Sequence, residues 1–208
     1  SFYNNVGYPI SLARGAYWIG LTYEKLGKNK LSNDYFQEGS KYLTTFYGQL
    51  SFKKINPAGT FELLDESKYS KDYEKEFEKS PLVNHVILLK ELNKTKYSKD
   101  IIKHLAEENI DKGSEVLAAK LATDVGRYDY AIQISKKASY EKRFYNKFNY
   151  PIITTPRVIN GKGMPSQEII LAITRQESEF DPKANSYAGA KGMMQLMTYT
   201  AKLVAKYN

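Results

Sequence analysis

The sequence predicts an all-α protein, and three observations support this fold class. Apolar residues recur at three- and four-residue steps along most of the chain, which is the repeat of an amphipathic helix. Helix-start signals such as Ser80-Pro81 and Pro165-Ser166 precede several of these segments. No segment shows the alternation of apolar and polar residues that indicates a strand.

The best-defined pair of helices is predicted at residues 12–46, with the connecting turn at residues 27–30. The spacing of Ile19, Gly20, Tyr23, Phe36 and Gly39 is typical of a tetratricopeptide-like unit, in which small residues lie where paired helices cross. The aromatic residues of this region, Tyr17, Trp18 and Tyr47, are expected to pack between helices.

A second pair is predicted at residues 114–125 and 128–137, with Gly126-Arg127 as its turn. Single helices are predicted at residues 81–92 and 98–108, and a loop at residues 56–59. Stacked helix pairs form a curved surface that usually binds partners. We therefore expect an α-superhelical module with its linker over residues 1–155 and a second domain over residues 156–208, because residues 150–162 contain two prolines and a glycine.

The second domain opens with a helix that carries Glu177. Ser166 is its predicted N-cap, and Asp181-Pro182 is its predicted end. Glu177 follows Ile173 by four residues and so shares its apolar face, while Arg175 and Glu179 are expected on the opposite, solvated face. Burial raises the pKa of a carboxyl group, which favours a general acid at this position. The alternative is a glutamate that caps or ion-pairs a neighbour, and helix position alone favours this alternative, since most glutamates are structural or solvated.

The segment after this helix is rich in small residues, with Ser186, Gly189 and Gly192 where the chain must turn tightly. A further helix is predicted at residues 193–207, with its methionines and leucines along one side. Gln195 is then the polar residue of its first turn, where free backbone N–H groups face a cleft.

Residues 177–201, ESEFDPKANSYAGAKGMMQLMTYTA, resemble the signature of the soluble lytic transglycosylases, whose catalytic domain is similar to goose-type lysozyme. Residues 13–20 (ARGAYWIG), 44–50 (TTFYGQL) and 126–131 (GRYDYA) are similar to the helical superhelix of the large members of that family. The resemblance implies an α-superhelical module followed by the first part of a lysozyme-like domain. It also implies that further helices of this domain would follow Asn208.

The resemblance implies a specific chemistry for Glu177, which matches the family's single catalytic glutamate. Its carboxyl group would protonate the oxygen of the β-1,4 bond between N-acetylmuramic acid and N-acetylglucosamine. The carboxylate would then accept the proton of the muramic acid's own primary hydroxyl as this group closes on the anomeric carbon. The product would be a 1,6-anhydro sugar, so one carboxylate suffices where ordinary glycosidases use two.

The same resemblance implies substrate contacts by Ser186, Gln195 and Met197, no metal and no cofactor. The family usually has leucine at the position of Met193 and proline at that of Thr198. Both differences are tolerable, because methionine fills the space of leucine and Thr198 lies in the early turns of the predicted helix. Peptidoglycan glycan strands are the implied substrate, proteins of cell-wall synthesis are possible partners, and the periplasm is the implied location.

Composition agrees with these expectations. The net charge is +8, but lysines alternate with acids, as in residues 68–79 (KYSKDYEKEFEK), so we expect an ion-paired surface and no specific nucleic-acid binding. No stretch approaches the ~20 apolar residues of a membrane span. The chain has no cysteine and begins at Ser1, which is compatible with removal of an export signal.

Two alternatives remain open from the sequence. The first is a non-catalytic scaffold, in which helical repeats bind peptidoglycan or a protein and the lysozyme-like segment is a remnant. The second is ordinary hydrolysis by the same glutamate, with water in place of the sugar hydroxyl.

Overall fold

The computed structural model describes residues 6–159 and 161–206, and its helices divide between two compact units, Ser1–Leu64 and Asp65–Asn208. The predicted all-α class is confirmed, because helices make up nearly all the regular structure of the described residues. In this part of the chain, no helix combines the length and the apolar character needed to cross a membrane.

The N-terminal unit contains three helices, α1 (Pro9–Lys25), α2 (Asn29–Ser40) and α3 (Phe46–Ile55). The predicted helical hairpin is confirmed by α1 and α2. A Cβ atom on Gly20 would lie 2.8 Å from the ring of Phe36, which is buried. Glycine therefore lets the two helices approach closely at the crossing that the sequence pattern indicated.

The described part of the C-terminal unit contains helices, short turns and one small β ladder. Its elements are α4 (Lys71–Glu78), α5 (Pro81–Glu91), the 3₁₀ turn Thr95–Ser98, α6 (Lys99–Glu107), the 3₁₀ turn Ile110–Lys112, α7 (Ser114–Asp124), α8 (Tyr128–Tyr140), α9 (Asn146–Asn149), β1 (Val158–Ile159), β2 (Lys162–Gly163), α10 (Gln167–Ser178) and α11 (Thr198–Lys206). The predicted helices at residues 81–92, 98–108, 114–125 and 128–137 correspond to α5, α6, α7 and α8 and are confirmed.

Helix α7 lies at the centre of the core of this unit, since eight of its eleven residues are buried. Its alanines and leucines pack with Val86 of α5, Leu105 of α6 and Tyr130 of α8. The charged segment at residues 68–79 also contributes, because Tyr73 and Phe77 are buried one helical turn apart on α4. The predicted ion-paired surface is therefore only the outer side of an amphipathic helix.

A buried polar network ties α7 to the chain that follows α8. Both carboxylate oxygens of Glu115 accept hydrogen bonds from Arg143, at 2.9 Å each, and the hydroxyl of Tyr145 donates to Glu115 at 3.0 Å. Glu115 and Tyr145 are both buried, so each polar atom needs its partner. Burial, followed by the negative charge of Glu115, raises the pKa of Tyr145 to about 12.

This raised pKa predicts a loss of stability in strong alkali. In the unfolded chain, Tyr145 loses its proton above a pKa of about 10. In the folded protein, it keeps the proton up to a pKa of about 12. The contribution of Tyr145 to the free energy of unfolding is therefore complete below about pH 10. It falls by about 1.4 kcal/mol per pH unit as the pH rises toward 12. Urea denaturation at pH 9 and pH 11 should show a smaller pH dependence for Tyr145→Phe than for the parent. An equal dependence in both proteins would show that Tyr145 is not responsible.

Three local predictions are wrong, and a fourth holds only in part. Helix α10 ends at Ser178, three residues before Asp181, because Glu179 has a left-handed φ of 54°. Helix α11 begins at Thr198 instead of Met193. A two-residue antiparallel ladder pairs β1 with β2, where no strand was expected. The ring of Trp18 lies 6.3 Å from that of Tyr47 on α3, as expected for packing between helices, but 54% of the Trp18 surface is exposed.

Candidate functional site

Glu177 lies in the last turn of α10 and is exposed to solvent. It does share one face of the helix with Ile173, as predicted, but 42% of the Ile173 surface is exposed as well. The predicted burial of Glu177 is therefore wrong for the described structure. Apolar neighbours along a helix therefore do not by themselves bury a carboxylate.

A different side of α10 packs against the unit. Thr174 is buried, and the guanidinium of Arg175 donates two hydrogen bonds to Asn149, to its backbone oxygen at 2.9 Å and to its side-chain oxygen. The same guanidinium lies 5.2 Å from the ring centre of Tyr150. The predicted solvated position of Arg175 is thus wrong, because a specific polar partner lies 26 residues earlier in the chain.

The end of α10 is fixed by the two residues that follow Ser178. Glu179 and Phe180 both have left-handed backbone conformations, with φ of 54° and 68°, which cost energy for residues other than glycine. Lys136 of α8 pairs with the Glu179 carboxylate at 3.0 Å. Phe180 is buried, with its ring 6.4 Å from that of Tyr128. These contacts to α8 offset the backbone strain and fix the direction in which the chain leaves the helix.

The segment after Phe180 forms a compact loop held by its own backbone. Ser186 and Ala190 are joined by two hydrogen bonds of 2.9 Å. The backbone oxygen of Ala190 accepts from the Ser186 N–H, and the side-chain hydroxyl of Ser186 accepts from the Ala190 N–H. Lys191 and Leu196 pair through two backbone hydrogen bonds, at 3.0 and 3.1 Å. The N–H groups of Gln195 and Leu196, which were expected to be free at a helix start, donate to the backbone oxygens of Gly192 and Lys191.

Gln195 lies in this loop with a left-handed φ of 47°, so its predicted place in a helical turn is wrong. Its side-chain nitrogen donates to the backbone oxygens of Ala184 and Gly192, at 3.2 and 2.8 Å. Its side-chain oxygen has no hydrogen-bond partner among the described residues. Ser186 and Met197 are both exposed, and Met197 precedes α11 directly.

Ser178 connects the helix end to the loop, and the sequence analysis did not single it out. Its hydroxyl donates to the backbone oxygen of Met193 at 2.7 Å. The bond joins the residue next to Glu177 to the turn that contains Gln195. Only its position beside Glu177 in the motif could have suggested this role. Glu177, Ser186, Gln195 and Met197 therefore belong to one helix end and one loop.

Metal binding has no support in the described ranges, 6–159 and 161–206, since no three His, Asp or Glu residues are grouped to hold an ion there. The two histidines have local partners: His85 lies 2.6 Å from the backbone oxygen of Pro81, and His104 lies 3.2 Å from Glu108.

Comparison with known proteins identifies the C-terminal segment. Residues 157–208 match the family described as "Transglycosylase SLT domain". A putative soluble lytic murein transglycosylase of Haemophilus influenzae is 51% identical over 43 residues, which cover 21% of this chain and 7% of that protein.

Solved structures share the fold over almost the whole chain. The 70 kDa soluble lytic transglycosylase of Escherichia coli matches with a TM-score of 0.70 and 21% identity, covering 94% of this chain and 31% of that one. An inactive variant of the lytic transglycosylase Slt of Pseudomonas aeruginosa, with glutamine in place of a glutamate, matches with a TM-score of 0.74, 22% identity and the same coverages. This chain thus spans about a third of the length of these solved relatives.

The fold and the site together define an all-α chain that ends in a glutamate-bearing helix and its companion loop. Its residues 157–208 match the transglycosylase SLT domain family. The resemblance to the soluble lytic transglycosylases that the motif predicted is thereby confirmed.

Proposed function

We propose that this chain is part of a lytic transglycosylase that cleaves the β-1,4 bond between N-acetylmuramic acid and N-acetylglucosamine in peptidoglycan. The observation that carries the proposal is the match of residues 157–208 to the transglycosylase SLT domain, which includes Glu177 at the end of α10. The curated relative is named for the same activity. The activity, substrate and partners of the whole protein belong to this proposal, since the chain spans only part of its relatives.

Glu177 is the proposed single acid and base. Its carboxyl proton goes to the glycosidic oxygen as the bond from that oxygen to the anomeric carbon breaks. The carboxylate then takes the proton of the muramic acid's primary hydroxyl, whose oxygen bonds to the anomeric carbon. The inactive Pseudomonas aeruginosa variant, in which a glutamate is replaced by glutamine, supports the need for one carboxyl group in that relative.

Substrate contacts are proposed for Ser186, Gln195 and Met197. The side-chain nitrogen of Gln195 is used within the loop, which fixes the side chain and leaves its oxygen to accept an N–H group. An N-acetyl sugar offers such a donor in its acetamido group. Ser186 is exposed beside this loop, and Met197 offers an exposed apolar surface to a sugar ring.

The domain arrangement and location are also proposals. We assign residues 1–155 to an α-superhelical and linker module and residues 156–208 to the N-terminal portion of a lysozyme-like domain. The partly exposed apolar side of α10, with Ile169 and Ile173, fits a surface on which another element of such a domain packs. A periplasmic location and contacts with proteins of cell-wall synthesis fit a peptidoglycan substrate.

One observation favours the scaffold alternative for this chain by itself. Glu177 is exposed to solvent, whereas the polar groups of a catalytic site usually lie in a cleft that buries most of the ligand. In that case the helical units bind peptidoglycan without cleaving it.

The test is to digest purified peptidoglycan with the chain and to identify the products by mass spectrometry. Products that end in 1,6-anhydro-muramic acid are expected, and reducing ends would mean hydrolysis instead. If no product forms, the digestion is repeated with a fusion protein in which the chain is followed by the C-terminal part of the SLT domain of a solved relative. The absence of products there too would overturn the enzymatic proposal in favour of the scaffold.

A further inference from the structure

The N-terminal unit displays a group of four neighbouring aromatic side chains, Tyr17, Trp18, Phe46 and Tyr47, here called the aromatic patch. The ring centre of Tyr47 lies 5.3 Å from that of Phe46, 5.4 Å from that of Tyr17 and 6.3 Å from that of Trp18. Trp18 and Phe46 are 54% and 68% exposed. Large aromatic side chains so open to solvent, and so close together, are typical of binding surfaces.

The aromatic patch has a fixed foundation. Tyr17 packs on Phe36, which is buried, with ring centres 5.9 Å apart. Thr45 caps α3, because its hydroxyl accepts a hydrogen bond from the Gly48 N–H at 3.1 Å. Phe46 and Tyr47 are the first two residues of that helix, so the cap fixes the backbone that carries both rings. A surface that is already ordered loses little conformational entropy when it binds.

A positive charge borders the aromatic patch. Arg14 lies one helical turn before Trp18 on α1 and is exposed. No ion-pair partner of Arg14 exists among the residues that the structure describes. Its guanidinium is therefore available to a carboxylate of a bound molecule.

We infer that the aromatic patch, with Arg14, binds a glycan strand of peptidoglycan. The apolar faces of sugar rings stack on aromatic side chains, and the carboxylates of muramic acid and its peptides complement Arg14. The inference rests on the proposed function for the identity of the glycan. It assigns a second contact with the substrate, in the N-terminal unit, to residues that take no part in bond cleavage.

Trp18 makes this inference directly testable, because it is the only tryptophan of the chain. The Glu177→Gln variant is used so that the strands are not cleaved during titration. We expect solubilised peptidoglycan strands, and a β-1,4-linked N-acetylglucosamine oligomer, to change the fluorescence of Trp18 in a saturable way. A maltose-type oligomer serves as the control sugar.

Two variants separate stacking from charge. Phe46→Ala should weaken binding of both ligands about fivefold, the magnitude expected for one aromatic contact. Arg14→Gln should weaken binding of the acidic strands about threefold and leave binding of the neutral oligomer unchanged. Leu26→Ala, which alters another exposed apolar residue of the same unit, is the matched control and should bind as the parent does.

The inference is overturned if the strands leave Trp18 fluorescence unchanged, or if Phe46→Ala binds as tightly as the parent. It is also overturned if sedimentation shows a dimer that Phe46→Ala dissociates and that glycans do not affect, since a second copy would then occupy the aromatic patch. Because no cleavage is measured, a positive result holds even if Glu177 proves not to be the catalytic acid.

Discussion

Glu177→Gln is expected to lower the rate of anhydromuropeptide formation by about 100-fold to 10,000-fold, the usual contribution of a general acid and base. Glutamine has nearly the same shape, but it can neither give a proton to the glycosidic oxygen nor take one from the sugar hydroxyl. The exposed position of Glu177 makes the substitution safe for folding. The measurement is the initial rate of product release from purified peptidoglycan. It is made with the chain or, if the chain is inactive, with its fusion to part of a solved relative.

Glu179→Gln is the matched control for this prediction. It changes the same residue type two positions later, where the carboxylate pairs with Lys136 of α8 at 3.0 Å. We expect a small loss of stability and a rate within about threefold of the parent, because a partly exposed ion pair contributes little. If the two variants lost activity equally, Glu177 would have no special role in the chemistry.

Leu105→Ala is expected to destabilise the C-terminal unit by about 2–5 kcal/mol. The side chain is fully buried on α6 and packs in the same core as α5, α7 and α8. Removal of its three outer carbon atoms leaves a cavity between these helices, since a core of this kind relaxes only partly. Amide hydrogen exchange of α7 measures the effect in this unit, whereas Trp18 fluorescence would report on the other unit.

Leu88→Ala is the comparison for Leu105→Ala, because Leu88 lies on α5 and is half exposed. Its loss should cost less than about 1 kcal/mol. Equal exchange rates in the two variants would contradict the assignment of Leu105 to the core.

Much of the fold could be predicted from the sequence. Helices α5 and α8 begin and end close to the predicted residues, because a start signal such as Ser80-Pro81 and a turn such as Gly126-Arg127 act within a few residues. The loop between Phe180 and Thr198 could not be predicted in this way. Its methionines and leucine have helical spacing, but Lys191 and Leu196 pair across the loop, and Gln195 is bonded to the distant Ala184.

The candidate site, like the fold, could be predicted only in part from the sequence. The sequence by itself determined the residue types of the motif, the helix that ends beside Glu177 and the resemblance to the transglycosylases. Only the tertiary structure decided which face of that helix is covered: Arg175 reaches Asn149, Phe180 reaches Tyr128, and Glu177 stays exposed. The physical reason is that helical hydrogen bonds join residues four apart, whereas burial depends on partners that lie tens of residues away.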